Sequence, residues 1–356
     1  MNALASAIDV RSRHTTAETV QAWSITRGAG IGGLALSLHA RSDPGPGEVR
    51  VRMHAVSLNH RDLMIAKGLS GPLGRALVPA SDGAGEVVAV GAGVNGLRVG
   101  DRVISSFYPD WVTGPATDAR LAAALGGSSD GVLADEVLLP ETAWVPLPPG
   151  FDYLEAATLT CAGVTAWNAL FCADPLPIHA SIGLLGTGGV SIWALQLAQA
   201  AGHRVIITSS DERKLARARQ LGADATINYR DTPDWSAQMR RLTDGAGVDR
   251  VLDVGGPDTL AQSIAAVRTG GAVAVVGRLT GNAPAQFDPA ALFGAGKRLA
   301  GVTVGSREMA IDLVRFVGGK RLHPVIDRVF AFEDTPAAYA YLAGGQHVGK
   351  IVISLQ

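Results

Sequence analysis

A glycine turn between an apolar strand and an apolar helix is the clearest candidate for chemistry in this sequence. Gly186 and Gly188 stand in "LLGTGGVSIWAL" at 184–195, in the context where a βαβ unit binds a dinucleotide. The first glycine allows a tight turn, the second lets backbone N–H groups approach the pyrophosphate, and the helix start adds a positive dipole end. The alternative is a tight strand-to-helix connection without a ligand. The predicted cofactor-binding residues of this turn are Gly186, Thr187, Gly188, Gly189 and Val190.

The residues at the end of the next strand bear on which dinucleotide binds. In the glycine turn itself, Ser191 replaces the third glycine of the G-x-G-x-x-G pattern and still permits fairly close packing of the helix against the strand. About 20 residues beyond the glycines, an NAD site places Asp or Glu, whereas this chain has Ser209 and Ser210 there, followed by Arg213 and Lys214, either of which could neutralise a 2′-phosphate. Hydroxyls and an ammonium favour a 2′-phosphate, so the sequence predicts NADP(H). Asp211 is interpreted as a helix N-cap, with a ribose contact as the alternative.

The surrounding elements predict how this turn is positioned. From Ala180 onward strands and helices alternate, ending in a sixth strand, "LAGVTV", at 299–304. Such alternation predicts an α/β fold with a Rossmann doubly wound parallel sheet. From about Ala22 to Pro146 short strands and turns indicate a β-rich first domain, which we expect the tail after about Gly305 to rejoin.

Composition narrows the partners and the setting. The chain has 356 residues, enough for two domains, and its 31 Lys and Arg nearly balance 32 Asp and Glu. That balance argues against nucleic acid or a membrane surface and favours a small-molecule substrate. The uncharged stretch Ala156–Ala173 contains threonines and Asn168, so we expect a buried helix and not a membrane span. Two cysteines without a CxxC pattern favour a reducing, cytoplasmic setting.

Several motifs in order give the chain a family resemblance. "GEVRVRMHAVSLNHRDL", "PASDGAGEVVAVGAGV", "GVTAWNAL", "GTGGVSIWALQLA" and "GKIVI" resemble the medium-chain dehydrogenase/reductase superfamily, especially its zinc-independent, quinone-oxidoreductase-like branch. The resemblance implies a GroES-like catalytic domain at 21–157 and 304–356, a Rossmann NADP-binding domain at 158–303 and a cleft between them. Residues 1–20 are expected to be a loose extension.

The resemblance also exposes a difference in metal ligands. Zinc-dependent members carry a catalytic Cys, a His-Glu pair and another Cys, where this sequence has Asn59, Ser81-Asp82 and Cys161. One Cys without the His and the other Cys cannot form the three-protein-ligand site of a catalytic zinc. We therefore expect no metal. Without a Lewis acid, hydride delivery to a conjugated carbonyl (a quinone, enone or enal) is easier than oxidation of a simple alcohol, because the negative charge is delocalised.

The remaining site residues follow from the resemblance. Asn59 is expected near the nicotinamide and the substrate oxygen, although Asn is also common in turns. Thr165 is expected at the nicotinamide, Lys350 at the cofactor phosphates and Tyr229 beside the adenosine ribose, while Gly277 and Leu279 complete the expected cofactor contacts. Candidates for the proton donor are Tyr108, His60 and bulk water.

Three alternatives remain from the sequence, together with one expectation about assembly. The chain could be an NAD(P)-dependent alcohol or ketone oxidoreductase without zinc, a non-catalytic NADPH-binding protein, or an enoyl-reducing module of polyketide or fatty-acid synthesis.

The apolar sixth strand predicts a homodimer paired through the edge of the Rossmann sheet.

Overall fold

The computed structural model describes residues 19–69, 75–172 and 174–356. The first part of the chain is rich in short strands, as its turn-rich sequence predicts. Its strands are β1 (Thr19–Ile25), β2 (Leu34–Ala40), β3 (Glu48–Leu58), β4 (Asp82–Val90), β5 (Arg102–Ser105), β6 (Glu136–Pro140) and β7 (Trp144–Pro146). Its helices are short: α1 (His60–Ala66), α2 (Asp118–Leu121) and α3 (Tyr153–Ala156).

The middle of the chain alternates between strands and helices. The strands are β8 (Ser181–Leu185), β9 (Arg204–Ser209), β10 (Ala225–Asn228), β11 (Val248–Asp253), β12 (Val267–Val275) and β13 (Arg298–Gly301). The helices are α4 (Val164–Trp167), α5 (Gly189–Ala200), α6 (Glu212–Gln220), α7 (Trp235–Arg241), α8 (Leu260–Ala266) and α9 (Ala290–Phe293). The tail adds α10 (Arg307–Lys320), β14 (Ile326–Ala331), α11 (Thr335–Gly344) and β15 (Lys350–Ser354).

The six middle strands form one parallel sheet in the order β10-β9-β8-β11-β12-β13. This is the Rossmann strand order. Successive strands are added toward one edge from β8 to β10 and toward the other edge from β11 to β13, so the order reverses between β8 and β11. The carboxyl ends of β8 and β11 therefore flank a crevice where ligands bind in such sheets. The α/β fold class with a Rossmann sheet is confirmed; the sixth strand lies at the sheet edge and is shorter than the predicted 299–304.

A second sheet joins both ends of the described chain. Its order is β14-β15-β3-β4-β5-β7, with β6 also paired to β3. The last strand, β15, runs antiparallel to β3, so that Ile351 lies opposite Leu58. We propose the domain boundaries predicted above because the strands of this sheet fall within 21–157 and 304–356. Residues 1–18 of the expected extension lie outside the described residues, and Thr19 and Val20 belong to β1, paired with β2.

The uncharged stretch after Ala156 is helical and mostly buried, as expected. Two π-helical segments, Leu159–Gly163 and Asn168–Cys172, flank α4, and Ala173 is outside the described residues. A hydrophobic cluster here spans both sheets, combining Ile104 and Leu159 with Leu184 and Leu313. Within the described ranges, no helix has both the length and the apolar character needed to cross a membrane.

Candidate functional site

The glycine turn lies where β8 ends and α5 begins. Gly186 has a φ of 69°, a left-handed conformation that glycine adopts without strain. A Cβ at Gly188 would meet no atom within 4 Å, so its backbone borders open space at the start of α5. The buried hydroxyl of Ser191 donates to the carbonyl of Leu185 at 2.7 Å. That bond ties the helix to the end of β8 without the third glycine. The turn thus offers the open, N–H-rich surface that a pyrophosphate requires.

The tip of β9 carries hydroxyl groups and one lysine. Ser209 is 5% exposed, and its Oγ accepts from the backbone N–H of Asp211. The Asp211 carboxylate accepts from the N–H groups of Arg213 and Lys214, which confirms its interpretation as the cap of α6. The Lys214 ammonium donates to the carbonyl of Gly345 at 2.6 Å, and burial lowers the pKa of Lys214. Lys214 therefore faces inward.

The segment before β15 crosses from the second sheet to the glycine turn. The N–H of Gly349 donates to the carbonyl of Thr187 at 3.0 Å. Lys350 follows, and a Cβ on Gly189 would lie 2.7 Å from its Cδ. Glycine at position 189 thus leaves room for the lysine stem, a requirement not predicted from the sequence. The Lys350 ammonium donates to Leu58 O and Asn59 Oδ1, each at 2.6 Å.

Two of the positions compared with zinc ligands, Asn59 and Asp82, meet at this ammonium. Asp82 is fully buried, and its Oδ2 lies 3.6 Å from Lys350 Nζ. Asp82 Oδ1 accepts from the Ser81 hydroxyl at 2.6 Å, and Oδ2 accepts from the N–H of Cys161 at 3.1 Å. Burial and the Asp82 charge raise the pKa of Cys161 to about 12, which keeps the thiol protonated. Asp82 is thus held by protein donors, and with the Cys161 thiol protonated and no His at these positions the residues do not supply the three protein ligands of a catalytic zinc.

Side chains of the metal-binding types are not clustered elsewhere in the described part of the chain. Across residues 19–69, 75–172 and 174–356, no cluster of three or more His, Cys, Asp or Glu side chains is arranged to hold an ion. The sequence also places no cysteine between 101 and 160, where the structural-zinc lobe of the superfamily would lie.

Asn59 has one buried side-chain donor without a partner among the described residues. It precedes α1, and its backbone N–H donates to the Asp62 carboxylate at 2.7 Å. Burial raises the pKa of Asp62 to about 6. The Asn59 Oδ1 accepts from Lys350, whereas Nδ2 has no hydrogen-bond partner among the described residues. The turn-forming interpretation and the functional one are therefore compatible.

The opposite wall supplies hydroxyl groups and aromatic rings. The Tyr108 hydroxyl lies 2.9 Å from Thr303 Oγ1. The Thr165 hydroxyl donates back to the carbonyl of Cys161 at 2.6 Å. Arg61 lies with its guanidinium carbon 4.4 Å from the centroid of the Phe107 ring. This wall of the cavity is thus apolar apart from these hydroxyl groups and the Arg61 guanidinium.

These walls enclose one cavity of about 660 Å³ between the two sheets, a volume typical of small-molecule sites. Every residue predicted for the site lines it: Asn59, Tyr108, Thr165, Gly186, Thr187, Gly188, Gly189, Val190, Ser209, Ser210, Lys214, Tyr229, Gly277, Leu279 and Lys350. His60 lines it too, whereas Arg213 is not among the lining residues and pairs with Asp211 at 3.1 Å.

Sequence reasoning missed several lining residues. Thr303, Arg278 and His347 border the cavity, and burial lowers the pKa of His347 to about 4. None of them belongs to a local motif. Thr303 lies in the strand interpreted as a dimer edge, so its proximity to Tyr108 had no signal in the sequence.

The two sheets match two known family models. Residues 45–149 match the alcohol dehydrogenase GroES-like domain, and residues 189–318 match the zinc-binding dehydrogenase family. A zinc-type alcohol dehydrogenase-like protein of Schizosaccharomyces pombe is 41% identical over 316 residues, 87% of this chain and 91% of the relative.

Solved structures agree with this match. An NAD-dependent alcohol dehydrogenase is 32% identical with a TM-score of 0.85, covering 95% of this chain and 100% of that one. A crotonyl-CoA carboxylase/reductase in complex with NADP is 25% identical with a TM-score of 0.81, covering 97% of each chain. The chain belongs to the medium-chain dehydrogenase/reductase superfamily. Within it, the chain belongs to the alcohol dehydrogenase-like oxidoreductases, whose solved neighbours include an NAD-dependent enzyme and one in complex with NADP.

Proposed function

We propose that this protein reduces conjugated carbonyl compounds (quinones, enones or enals) with NADPH and without zinc. The observation that carries the proposal is the Asn59 amide beside the cavity: its Nδ2 is buried and has no hydrogen-bond partner among the described residues, and a buried donor without a partner is costly unless a ligand accepts from it. NADPH supplies a hydride when bound, which leaves negative charge on the substrate oxygen. Asn59 Nδ2 would donate a hydrogen bond to that oxygen.

Conjugation decides the substrate class in this proposal. A simple ketone concentrates the developing charge on one oxygen, which zinc-dependent enzymes stabilise with a Lewis acid. In a quinone or enone the charge spreads over a hydroquinone or enolate, so a neutral amide donor has less to stabilise. The Asp82 oxygens already hold Ser81, Cys161 and Lys350, which supports catalysis without zinc.

The cofactor preference rests on the tip of β9. Ser209, Ser210 and Lys214 line the cavity there, and Asp211 is engaged as a helix cap. An ammonium and two hydroxyls suit a 2′-phosphate, whereas a carboxylate would repel it. Among the relatives, the alcohol dehydrogenase is described as NAD-dependent and the reductase holds NADP, so the family alone leaves the choice open.

The test is a matched pair of ketones that differ by one double bond. Purified protein, dialysed against a chelator, is assayed by NADPH absorbance with 2-cyclohexenone and with cyclohexanone; 1,4-benzoquinone and 2-hexenal extend the acceptor series. We expect turnover of the conjugated acceptors, slower reduction of cyclohexanone and no loss after chelation.

The relatives described as alcohol dehydrogenases favour a second candidate, reversible alcohol and ketone chemistry. Faster turnover of cyclohexanone, or oxidation of cyclohexanol with NADP⁺, would replace the proposal with that candidate. NADPH binding without turnover of any acceptor would indicate a non-catalytic NADPH-binding protein. Activity that disappears with chelation and returns with zinc would refute the zinc-independent part.

A further inference from the structure

A buried ion pair lies among the residues that were compared with the ligands of a catalytic zinc. Lys350 is 3% exposed and Asp82 is fully buried, and their charged atoms are 3.6 Å apart. Burying two charges is costly unless their remaining bonding capacity is satisfied. Here Leu58 O and Asn59 Oδ1 accept from the ammonium. Leu58 and Asn59 immediately precede α1. Apart from its contact with Asp82, the ammonium therefore binds the segment that leads into this helix.

We propose that Lys350 is the resident cation of the active site and holds the Asn59 amide with Oδ1 toward the ammonium, which leaves the buried, unpartnered Nδ2 as the donor for a substrate oxygen. The inference rests on the proposed hydrogen bond from Asn59, and it makes Lys350 a positioning residue. The resemblance instead implies that Lys350 binds the cofactor phosphates.

The geometry of an amide explains why the lysine would control its orientation. Asn carries an acceptor oxygen and a donor nitrogen on opposite sides of one plane. With Oδ1 bound to the ammonium at 2.6 Å, the nitrogen must face away from Lys350. Rotating the amide by half a turn would place NH₂ against NH₃⁺, two donors with no acceptor between them.

The charge should also strengthen the amide as a donor. A hydrogen bond from a cation to Oδ1 withdraws electron density from the amide, and linked hydrogen bonds in a low-dielectric interior polarise one another. Asp82, fixed by Ser81 and the Cys161 N–H, keeps the cation from being buried without a counter-charge. The arrangement places a fixed positive charge one amide away from where negative charge develops.

The experiment separates this role from phosphate binding. Lys350→Met removes the charge and keeps most of the stem volume. We expect kcat at saturating NADPH to fall about 100-fold, the usual loss when one oxyanion donor is removed. The Kd of NADPH, measured by quenching of protein fluorescence, should change much less. Lys350→Arg, which retains a cation, should recover part of the loss. A raised Kd with unchanged kcat at saturation would overturn the inference and assign Lys350 to the phosphates.

Two further measurements keep the inference testable. Asn59→Leu should lower kcat similarly, and adding Lys350→Met to it should cost little more if both act through one amide; losses that multiply would overturn the inference. If Lys350→Met melts below the assay temperature by circular dichroism, Lys350→Gln takes its place in this cycle. Lys320→Met, at the exposed end of α10, is the matched control and should behave as wild type.

Failure of the positioning role of Lys350 can be told apart from failure of the proposed function. The kinetics use whichever carbonyl compound the wild type reduces fastest, conjugated or not, since the Asn59 donor serves either. Metal analysis of dialysed wild-type protein needs no activity. Substoichiometric zinc is expected, and one equivalent of tightly bound zinc would overturn the inference even if conjugated carbonyls are reduced.

Discussion

Lys214 is the side chain on which the proposed cofactor preference depends most. It lines the cavity, and its ammonium donates to Gly345 O at 2.6 Å. Charge-assisted bonds contribute about 1.5–3 kcal/mol, less where solvent screens them. Lys214→Ala should therefore weaken NADPH by about tenfold and NADH by less than about twofold, as measured by their dissociation constants.

Two companion variants control this prediction. Arg213→Ala should have the smaller effect, because Arg213 pairs with Asp211 and is not among the residues lining the cavity. Ser209→Asp retains an acceptor for the Asp211 N–H but adds a charge, so it should weaken NADPH and leave NADH equal or better. Equal losses of both cofactors in Lys214→Ala would contradict the assignment of NADP(H).

Among the candidates for the proton donor, we propose Tyr108. Its hydroxyl lies 2.9 Å from Thr303 Oγ1, and both residues line the cavity. Positioned general acids contribute about 10²–10⁴-fold, so we expect Tyr108→Phe to lower kcat by at least about 100-fold with little change in NADPH affinity. Thr303→Val should cause a smaller loss and His60→Gln none. A Tyr108→Phe variant with wild-type kcat would favour bulk water as the donor.

At the scale of elements, the edge of the Rossmann sheet is where we expect two copies of the chain to pair. β13 is the last strand of the sheet, and the N–H of Val302 donates inward to Val275. Alternate residues of a strand face opposite neighbours, so the N–H of Gly301 faces the open edge. We predict a two-fold dimer paired along this edge, because an unpaired apolar edge strand favours association.

Gly301→Pro tests the dimer directly. A Cβ at Gly301 would meet no atom within 4 Å, so proline should remove the outward N–H without disturbing the sheet. We expect light scattering to show a dimer for wild type and for the matched Gly301→Ala control, and a monomer for Gly301→Pro. A wild-type monomer at micromolar concentration would refute the prediction.

At the scale of the whole molecule, the segment before β15 links the two sheets and carries a histidine that resists protonation. Burial, followed by the positive charges of Lys214, Lys350 and His60, lowers the pKa of His347 to about 4, against the opposing effect of Asp327. In the unfolded chain this pKa is about 6.5. Between pH 6.5 and 4 the unfolded state therefore binds a proton that the folded state does not, and the free energy of unfolding falls as pH falls.

His347→Gln should remove this loss. Between pH 7 and 4.5 the variant should lose about 1–2 kcal/mol less stability than wild type, measured by chemical denaturation. Asp62 gives a control of opposite sign, because burial raises its pKa to about 6 and its folded form takes up a proton first. Asp62→Asn should thus lose more stability than wild type on acidification. Identical pH profiles for wild type and His347→Gln would contradict the assignment.

Local sequence patterns predicted most of the elements in the Rossmann part of the chain. The turn at Gly186, the cap at Asp211 and the alternation of strands and helices each depend on residues within a few positions of one another. Backbone conformation and helix capping follow from such neighbours, so a single sequence carries them. The exact extent of β13 was less predictable, because an edge strand ends where pairing with β12 ends.

By itself the sequence determined the fold class and the glycine turn, because both are matters of residue type and local spacing, and only its resemblance to the superfamily set Asn59 and Ser81-Asp82 against the usual zinc ligands. Only the tertiary structure brought Lys350 onto Asn59, 291 residues away along the chain, and set both beside Asp82. It also placed Thr303 against Tyr108 and buried His347. These contacts depend on how β15 pairs with β3 and how the tail crosses the glycine turn, which are long-range pairings that no local pattern encodes.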